Sequence, residues 1–502
     1  MKVKYSIVII CCFLTSCISY DYVKIREDIR TNLKANNHIK AIQNVNDKDY
    51  YSKDNSVLLK KLEQGTVHFN VGNYYQSLQY FDEAEKIAES LYTVKISSKL
   101  KGMINDNLDD YSGERYEISL LYFYKSLANY NLYLIGKYES YTAEVDGKKT
   151  LKKEKILTLE EKINHLRKAR SNIMKWDSLL NSYKNESKKI TDYNLDLLQK
   201  IWGAFIFEEN GGGADIQRAK AMYKSAQKIL NSNYLIYPTF NVRYDKFIKN
   251  KEVKTAEYTD FYVNMNNFIN EKIKQLESYD KNNLVVLINE NYVPFKKVKI
   301  VPVPMDMALF MGQSIDFFTF MRSIVVFSSL DGLPYFKIQL PYVEEYKIDD
   351  DFIAEIYKNN EKVKEFSVNL VEPIADILNN DFEVEKSALY TKITTSTLLQ
   401  YATAIKASYE LYKSMLENNG NHTLALSLAT MSYMASVKSI ENLNRPDLRQ
   451  WSTLPKAVRF GGVKLENGNY TLKIKSINKN VYIYNKNIEI KDDKSEFVNF
   501  RY

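Results

Sequence analysis

Residues 56–89 constrain the fold more than any other stretch of the chain, because a helical period of apolar residues runs on both sides of one turn. Gly72 and Asn73 predict the turn, since glycine tolerates the left-handed backbone that ends a helix. Beyond it, small and aromatic residues recur at spacings of three and four, as on one face of a helix. These residues are Tyr74, Ser77, Leu78, Phe81 and Ala84. The segment therefore predicts two short helices joined as a hairpin.

The small and aromatic positions of this hairpin resemble those of a tetratricopeptide repeat (TPR). The matching residues are Gly65, Gly72, Tyr74, Ser77, Phe81 and Ala84. The chain departs from the repeat at Lys61, where that family favours Trp, and at Glu89, where it favours Pro. The resemblance implies a scaffold that binds protein and performs no reaction. A generic pair of amphipathic helices is the alternative interpretation.

Two later segments share parts of the same pattern. Gly136 begins a turn that resembles that of a second repeat, with a lysine-rich interruption at 148–155 that predicts a solvated face or loop. Residues 195–230 resemble a third repeat, in which Ala219 and Ala226 occupy the small positions. Three helix pairs are about the minimum for a self-supporting stack. The full repeat signature is Gly65, Gly72, Ala84, Gly136, Ala219 and Ala226.

Aromatic residues of the first two helix pairs are candidates for a partner-binding surface, because aromatic side chains are enriched at protein interfaces. Packing in the core explains the same positions equally well. The chain contains 40 tyrosines, so a general compositional bias is a further explanation. The candidates are Tyr74, Tyr80, Phe81, Tyr122 and Tyr124.

The first seventeen residues predict a bacterial lipoprotein signal. Lys2 and Lys4 precede an apolar run that is too short to span a bilayer comfortably. The run ends in Leu-Thr-Ser-Cys17, which resembles the bacterial lipobox and implies cleavage before Cys17 and acylation of its thiol. Acyl chains would then anchor the protein to a membrane. An ordinary secretory signal with a chance cysteine is the alternative. Ile18 and Ser19 follow the cysteine without the Asp of inner-membrane retention, which favours the outer membrane, facing the periplasm.

The composition argues against several classes of chemistry. The net charge of +8 is spread over 70 basic and 62 acidic residues, unlike the clustered charge of a nucleic-acid-binding face. No cysteine follows Cys17, so no disulfide or thiolate nucleophile is available beyond it. The four histidines are far apart, with no pair at metal-binding spacing. We therefore expect no catalytic residue, no metal and no cofactor, and we predict that the protein is not an enzyme.

The order of apolar patterns predicts a mainly α protein with TPR-like helical-hairpin repeats, a small β-rich middle unit and a C-terminal β cap, α+β overall. A continuous apolar run at 284–288 predicts a buried strand, and Asn467-Gly468 predicts a hairpin turn. The predicted division is a signal peptide at 1–16, the acylated Cys and a tether at 17–54, the TPR-like repeats at 55–280, the β-rich unit at 283–347, a helical segment at 348–442, and a linker with the β cap at 443–502.

The segment 445–455 carries an acidic-x-Arg-x-Trp-x-x-Leu-Pro pattern. This pattern resembles that of an uncharacterised family of bacterial lipoproteins, with further matches at 110–117, at Leu333-Pro334 and at 371–375. The resemblance implies a TPR-like envelope protein with no assigned reaction.

Asp447, Arg449 and Trp451 are the candidate site residues of that segment. Alternate spacing in an extended chain places their side chains on one side. Arg449 could pair with Asp447 while Trp451 fills a pocket. The trio would then be either an interaction site or a structural pin that holds the β cap on the helices.

Together these patterns predict a membrane-anchored lipoprotein that acts as a protein-binding scaffold in the cell envelope. Its expected partner is an envelope protein or peptide. Two alternatives stay open. One is an accessory factor or enzyme that acts on peptidoglycan, and the other is a surface-exposed lipoprotein that binds a ligand.

Overall fold

The computed structural model of this chain describes residues 21–51, 53–97, 109–145, 148–187, 193–231, 237–240, 258–278, 280–304, 335–491 and 495–502. Helices and sheets are both present in these residues, so the predicted α+β class is confirmed at that level. Cys17 and Leu333-Pro334 lie outside the described residues.

The described part of the chain contains eleven α-helices. They are α1 (Asp21–Lys34), α2 (His38–Val45), α3 (Val57–Asn70), α4 (Tyr74–Ser97), α5 (Arg115–Ile135), α6 (Leu159–Glu186), α7 (Leu197–Asn210), α8 (Gly213–Leu230), α9 (Asp260–Glu277), α10 (Ile374–Asn419) and α11 (His422–Leu443).

The strands fall into two groups along the chain. The short strands between α5 and α6 are β1 (Lys137–Tyr138), β2 (Tyr141–Val145), β3 (Lys148–Lys152) and β4 (Lys155–Ile156). The remaining strands are β5 (Leu284–Glu290), β6 (Lys296–Pro304), β7 (Tyr335–Val343), β8 (Phe352–Lys358), β9 (Glu361–Ser367), β10 (Asn369–Glu372), β11 (Ala457–Val463), β12 (Gly468–Ser476), β13 (Val481–Ile490) and β14 (Glu496–Arg501).

Consecutive helices pack as the pairs α3–α4, α5–α6 and α7–α8, and α9 packs on α8. The first pair crosses closely at Gly65, whose carbonyl accepts a 2.7 Å hydrogen bond from the Ser77 hydroxyl. Gly72 has a positive φ of 86° in the turn between the two helices. Ala84, Ala219 and Ala226 are completely buried.

We expect Gly65→Ala to lower the free energy of unfolding by about 1–3 kcal/mol, as overpacking a core does. A Cβ at this position would lie 2.8 Å from Cζ of the Phe81 ring and nearer still to two other ring carbons. Gly213→Ala is the matched control, because a Cβ there meets no atom within 4 Å. Urea unfolding of both variants checks the prediction, and an equal effect at the two glycines would contradict it.

The second helix pair carries a small insertion. Gly136 ends α5 in the left-handed conformation, with φ of 71°. The chain then forms two antiparallel strand pairs, β1 with β4 and β2 with β3, before α6 begins. The lysine-rich stretch 148–155 thus contains strand structure that the sequence did not indicate.

Strand β5 links the helices to the rest of the protein. It lies in a four-stranded sheet of order β10-β11-β5-β14, antiparallel to β11 and parallel to β14. Its side chains alternate between two cores, as the strand period requires. Val285 and Leu287 pack with the helices, whereas Leu284, Val286 and Ile288 pack toward the second sheet, of order β13-β12-β8-β9. The first sheet is therefore the middle layer of three.

This topology corrects three of the predicted divisions. The β-rich unit at 283–347 and the β cap at 443–502 share one sheet, because β5 pairs with β11 and β14. The predicted helical segment at 348–442 begins with strands β8, β9 and β10. Asn359 and Asn360 form the β8–β9 turn with φ of 53° and 68°. Two consecutive asparagines are a turn signal, and the prediction of a helical segment here did not take it into account.

The predicted tether at 17–54 is also wrong for its described residues. They form α1 and α2, in which Ile29, Ala41 and Val45 are completely buried. Their helical period was masked by the many polar residues on the exposed faces. The segment is thus part of the body of the protein.

Candidate functional site

Residues 447–454 have no helix or strand structure, turn at 452–454, and lie against the first helices of the first two helix pairs. We call this stretch the central segment. It has no partner strand in the structure described here, and side chains from α1, α3 and α5 bind its backbone instead. The candidate residues Asp447, Arg449 and Trp451 all belong to it.

Arg449 fixes the start of the central segment. Its Nε lies 2.9 Å and 3.0 Å from the two carboxylate oxygens of Asp447, and its Nη2 lies 2.7 Å from Oδ2. Its Nη1 donates to the backbone carbonyls of Asn55 at 2.9 Å and Asp109 at 3.1 Å. A fork of this kind is a strong, directional contact. It joins the segment to the chain just before α3 and just before α5.

Trp451 anchors the middle of the segment. Its side chain is completely buried, and its indole N–H donates to the Thr66 hydroxyl on α3 at 2.8 Å. Its ring lies against those of Phe81 and Tyr124, with centroids 6.0 Å and 5.6 Å away. The indole thus fills the space between the first two helix pairs.

Two buried glutamates accept hydrogen bonds from the backbone of the segment. Glu63 on α3 accepts the Ser452 N–H at 2.6 Å and the Thr453 N–H at 3.2 Å. Glu117 on α5 accepts the Trp451 N–H at 2.7 Å. Burial raises the pKa of Glu63 above its ordinary value and raises that of Glu117 to about 7. Each carboxylate comes from the first helix of a pair.

Two arginines on α1 bind the carbonyls of the same segment. Arg26 Nη1 donates to Leu448 O at 3.0 Å, and Arg30 Nε donates to Ser452 O at 2.8 Å. Buried backbone groups need such partners when no strand supplies them. We call Arg26, Arg30, Glu63 and Glu117 the socket, because together these side chains bind the backbone of the central segment.

The structure brings Asp447, Arg449 and Trp451 together in the geometry of a pin. Arg449 is only 5% exposed and Trp451 is not exposed at all, so neither presents a free surface. Glu63, Glu117, Arg26 and Arg30 complete the arrangement and were not singled out from the sequence. The signal that could have found them is a charged residue at an apolar position of a helical period.

The predicted aromatic surface is wrong for three of its five residues. Phe81 and Tyr124 are completely buried, and Tyr122 is 7% exposed. Tyr74 and Tyr80 are half-buried. Helical spacing identifies the face of a helix that packs against something, but it does not show whether that face packs in the core or against a partner protein.

The remaining site predictions concern metals and membranes. Among the described residues, no group of three or more His, Cys, Asp or Glu side chains is placed to hold a metal ion. No helix in the same part of the chain is both long and apolar enough to cross a bilayer. The comparisons with protein-family models, curated proteins and solved structures gave no match to this chain. Its function is therefore inferred from its own sequence and structure.

Proposed function

We propose that this protein is a lipid-anchored scaffold of the bacterial cell envelope, anchored through Cys17 in the outer membrane and facing the periplasm. Its helix pairs act as TPR-like units that recognise extended peptide chain. The socket around the central segment is the observation that carries this proposal. Side chains of α1, α3 and α5 bind carbonyls and N–H groups of a segment that is neither helix nor strand, and a helical scaffold can bind a peptide backbone in the same way without forming a strand.

The position of the socket supports a structural role for the central segment, and we propose that partner contacts lie elsewhere. The first helices of the pairs face the middle sheet, as the packing of Trp202 and Phe205 on Phe497 illustrates. That face is filled by the protein's own chain. The partner surface is then to be sought on the second helices and on the α10–α11 hairpin, where Met431 and Met434 are 67% and 65% exposed.

The anchor has a direct test. Cells that express the full chain are grown with radiolabelled palmitate, and the protein is recovered and counted. We expect label in the wild type and none in Cys17→Ala, because the thiol is the acylated atom that the lipobox resemblance implies. Label retained in the variant, or no label in the wild type, would remove the anchor from the proposal.

The scaffold role is tested by chemical crosslinking in intact cells, followed by recovery of the full-length protein. We expect a defined envelope protein in the crosslinked product, and we expect its yield to fall when Met431 and Met434 are replaced by Glu. The control is Glu410→Gln, on the exposed side of α10. Recovery of murein with no protein partner would favour the peptidoglycan alternative instead.

A further inference from the structure

A cleft of about 540 Å³ opens beside α1, and Arg30, which binds the central segment, also lines it. Its walls are α1, residues 291–297 and residues 344–347. Phe295 and Tyr346 give it an aromatic lining, and Arg30 and Lys34 project from the helix. The proposed scaffold role makes no use of this cleft.

Three cations surround the ring of Tyr292 in this cleft. The guanidinium carbon of Arg30 is 5.1 Å from the ring centroid, that of Arg501 is 4.4 Å away, and Lys34 Nζ is 5.5 Å away. In the described residues, none of the three forms an ion pair with a carboxylate. Burial and the charges of Arg30 and Arg501 lower the pKa of Lys34. The positive charge here is therefore only weakly compensated.

The Arg30 guanidinium keeps one donor available in the same place. The neighbouring Tyr292 is 6% exposed, and its hydroxyl oxygen is itself buried, so a ligand in the cleft would not reach that group. The Arg30 guanidinium uses Nε and Nη2 on Ser452 O, which leaves Nη1 for another acceptor.

Carboxylates are present at the cleft but do not cancel these cations. Glu344 pairs with Lys297. Glu27 and Glu345 are exposed to solvent, where their charges are screened, and the buried Glu63, which binds the central segment, also acts on Arg30. An anion beside the Tyr292 ring would thus meet three nearby positive charges and the Nη1 donor of Arg30.

We propose that this cleft binds the phosphate group of a phosphorylated ligand, through Arg30 Nη1 and Lys34 Nζ. A phosphate suits the site better than a carboxylate, because it carries more charge and offers more acceptor oxygens to converging donors. The cleft is larger than a phosphate ion, and the rings of Phe295 and Tyr346 would contact an organic portion. The shared chemistry is a phosphate ester, either of a soluble molecule or of a phospholipid headgroup.

The test measures binding of glycerol 3-phosphate to the purified full chain by calorimetry, and of the chain to phosphatidylglycerol vesicles by co-sedimentation. We expect Lys34→Ala to weaken binding by about tenfold, a loss typical of one charge-assisted contact, and Tyr292→Phe to leave binding unchanged, because its hydroxyl is buried. Lys24→Ala is the matched control, because Lys24 is exposed on the same helix. Lys34 is itself exposed, so Lys34→Ala should retain the fold.

The two arms separate the sources of the phosphate. Binding of glycerol 3-phosphate that Lys34→Ala weakens supports a soluble ligand. Binding to vesicles alone, with the same loss in Lys34→Ala, supports a phospholipid headgroup. No binding in either arm, or equal binding by wild type and Lys34→Ala, would overturn the site.

Discussion

Trp451→Ala is expected to lower the free energy of unfolding by about 3–5 kcal/mol, the usual cost of truncating a fully buried aromatic side chain. The indole is completely buried and contacts both of the first two helix pairs. Its removal leaves a cavity and deprives the Thr66 hydroxyl of its 2.8 Å partner. Urea unfolding followed by circular dichroism measures the loss.

Two further variants serve as comparisons for Trp451→Ala. Trp451→Phe retains most of the ring volume but removes the indole donor, so we expect a smaller loss of about 1–3 kcal/mol. Met431→Ala removes a side chain that is 67% exposed and should change stability by no more than about 0.5 kcal/mol. A loss below about 1 kcal/mol for Trp451→Ala would show that the central segment is not held by its anchor.

The local pattern of the sequence predicted contacts that the structure contains. The small residue at Gly65 coincides with the close approach of Phe81, and the positive φ of Gly72 coincides with the expected turn. Asp447 and Arg449 are two residues apart, and their side chains are paired. These contacts depend on neighbours along the chain or on the period of one helix, which a sequence records directly.

The contacts that the sequence did not predict join distant parts of the chain. Arg26 lies on an apparently polar segment, yet it is completely buried because its partner is the carbonyl of Leu448. Four of the seven residues of strand β9 are charged and six are exposed, since it is an edge strand, and it lacks the alternation that identifies most strands. Whether such residues are buried depends on contacts with distant parts of the chain, which a local sequence pattern does not identify.

The socket also bears on where the proposed partner would bind. In a free helical stack, the first helices of the pairs would present an open face. Here that face is filled by the central segment and by the middle sheet, in which Phe460 and Phe497 pack on Phe205. Substitutions on this face are therefore expected to act on stability, whereas those on α11 test recognition.

Glu117 is expected to contribute more stability as the pH falls from about 7 to about 4.5, whereas His68 and His165, whose pKa values burial lowers to about 4, act in the opposite direction over this range. Burial, with the nearby charge of Glu114, raises the pKa of Glu117 from 4.5 to about 7. The folded state therefore binds a proton that the unfolded state does not bind in this interval, so stability falls as the pH rises. A shift of this size corresponds to about 3 kcal/mol. Asp376, whose pKa burial raises to about 6, acts in the same direction.

The comparison of wild type with Glu117→Gln isolates the contribution of this carboxyl. The variant keeps an oxygen for the Trp451 N–H but has no proton to gain, so its stability should change by about 3 kcal/mol less between pH 7.5 and pH 5. The opposing case is Glu85, whose pKa hydrogen bonds from Lys125 and Lys175 lower although burial raises it. Its contribution is lost only below about pH 4.5, outside this interval, because the unfolded carboxyl is already ionised above it. Parallel pH profiles for wild type and Glu117→Gln would show that Glu117 is ionised in the folded protein across this range, and that the Trp451 N–H binds a full carboxylate.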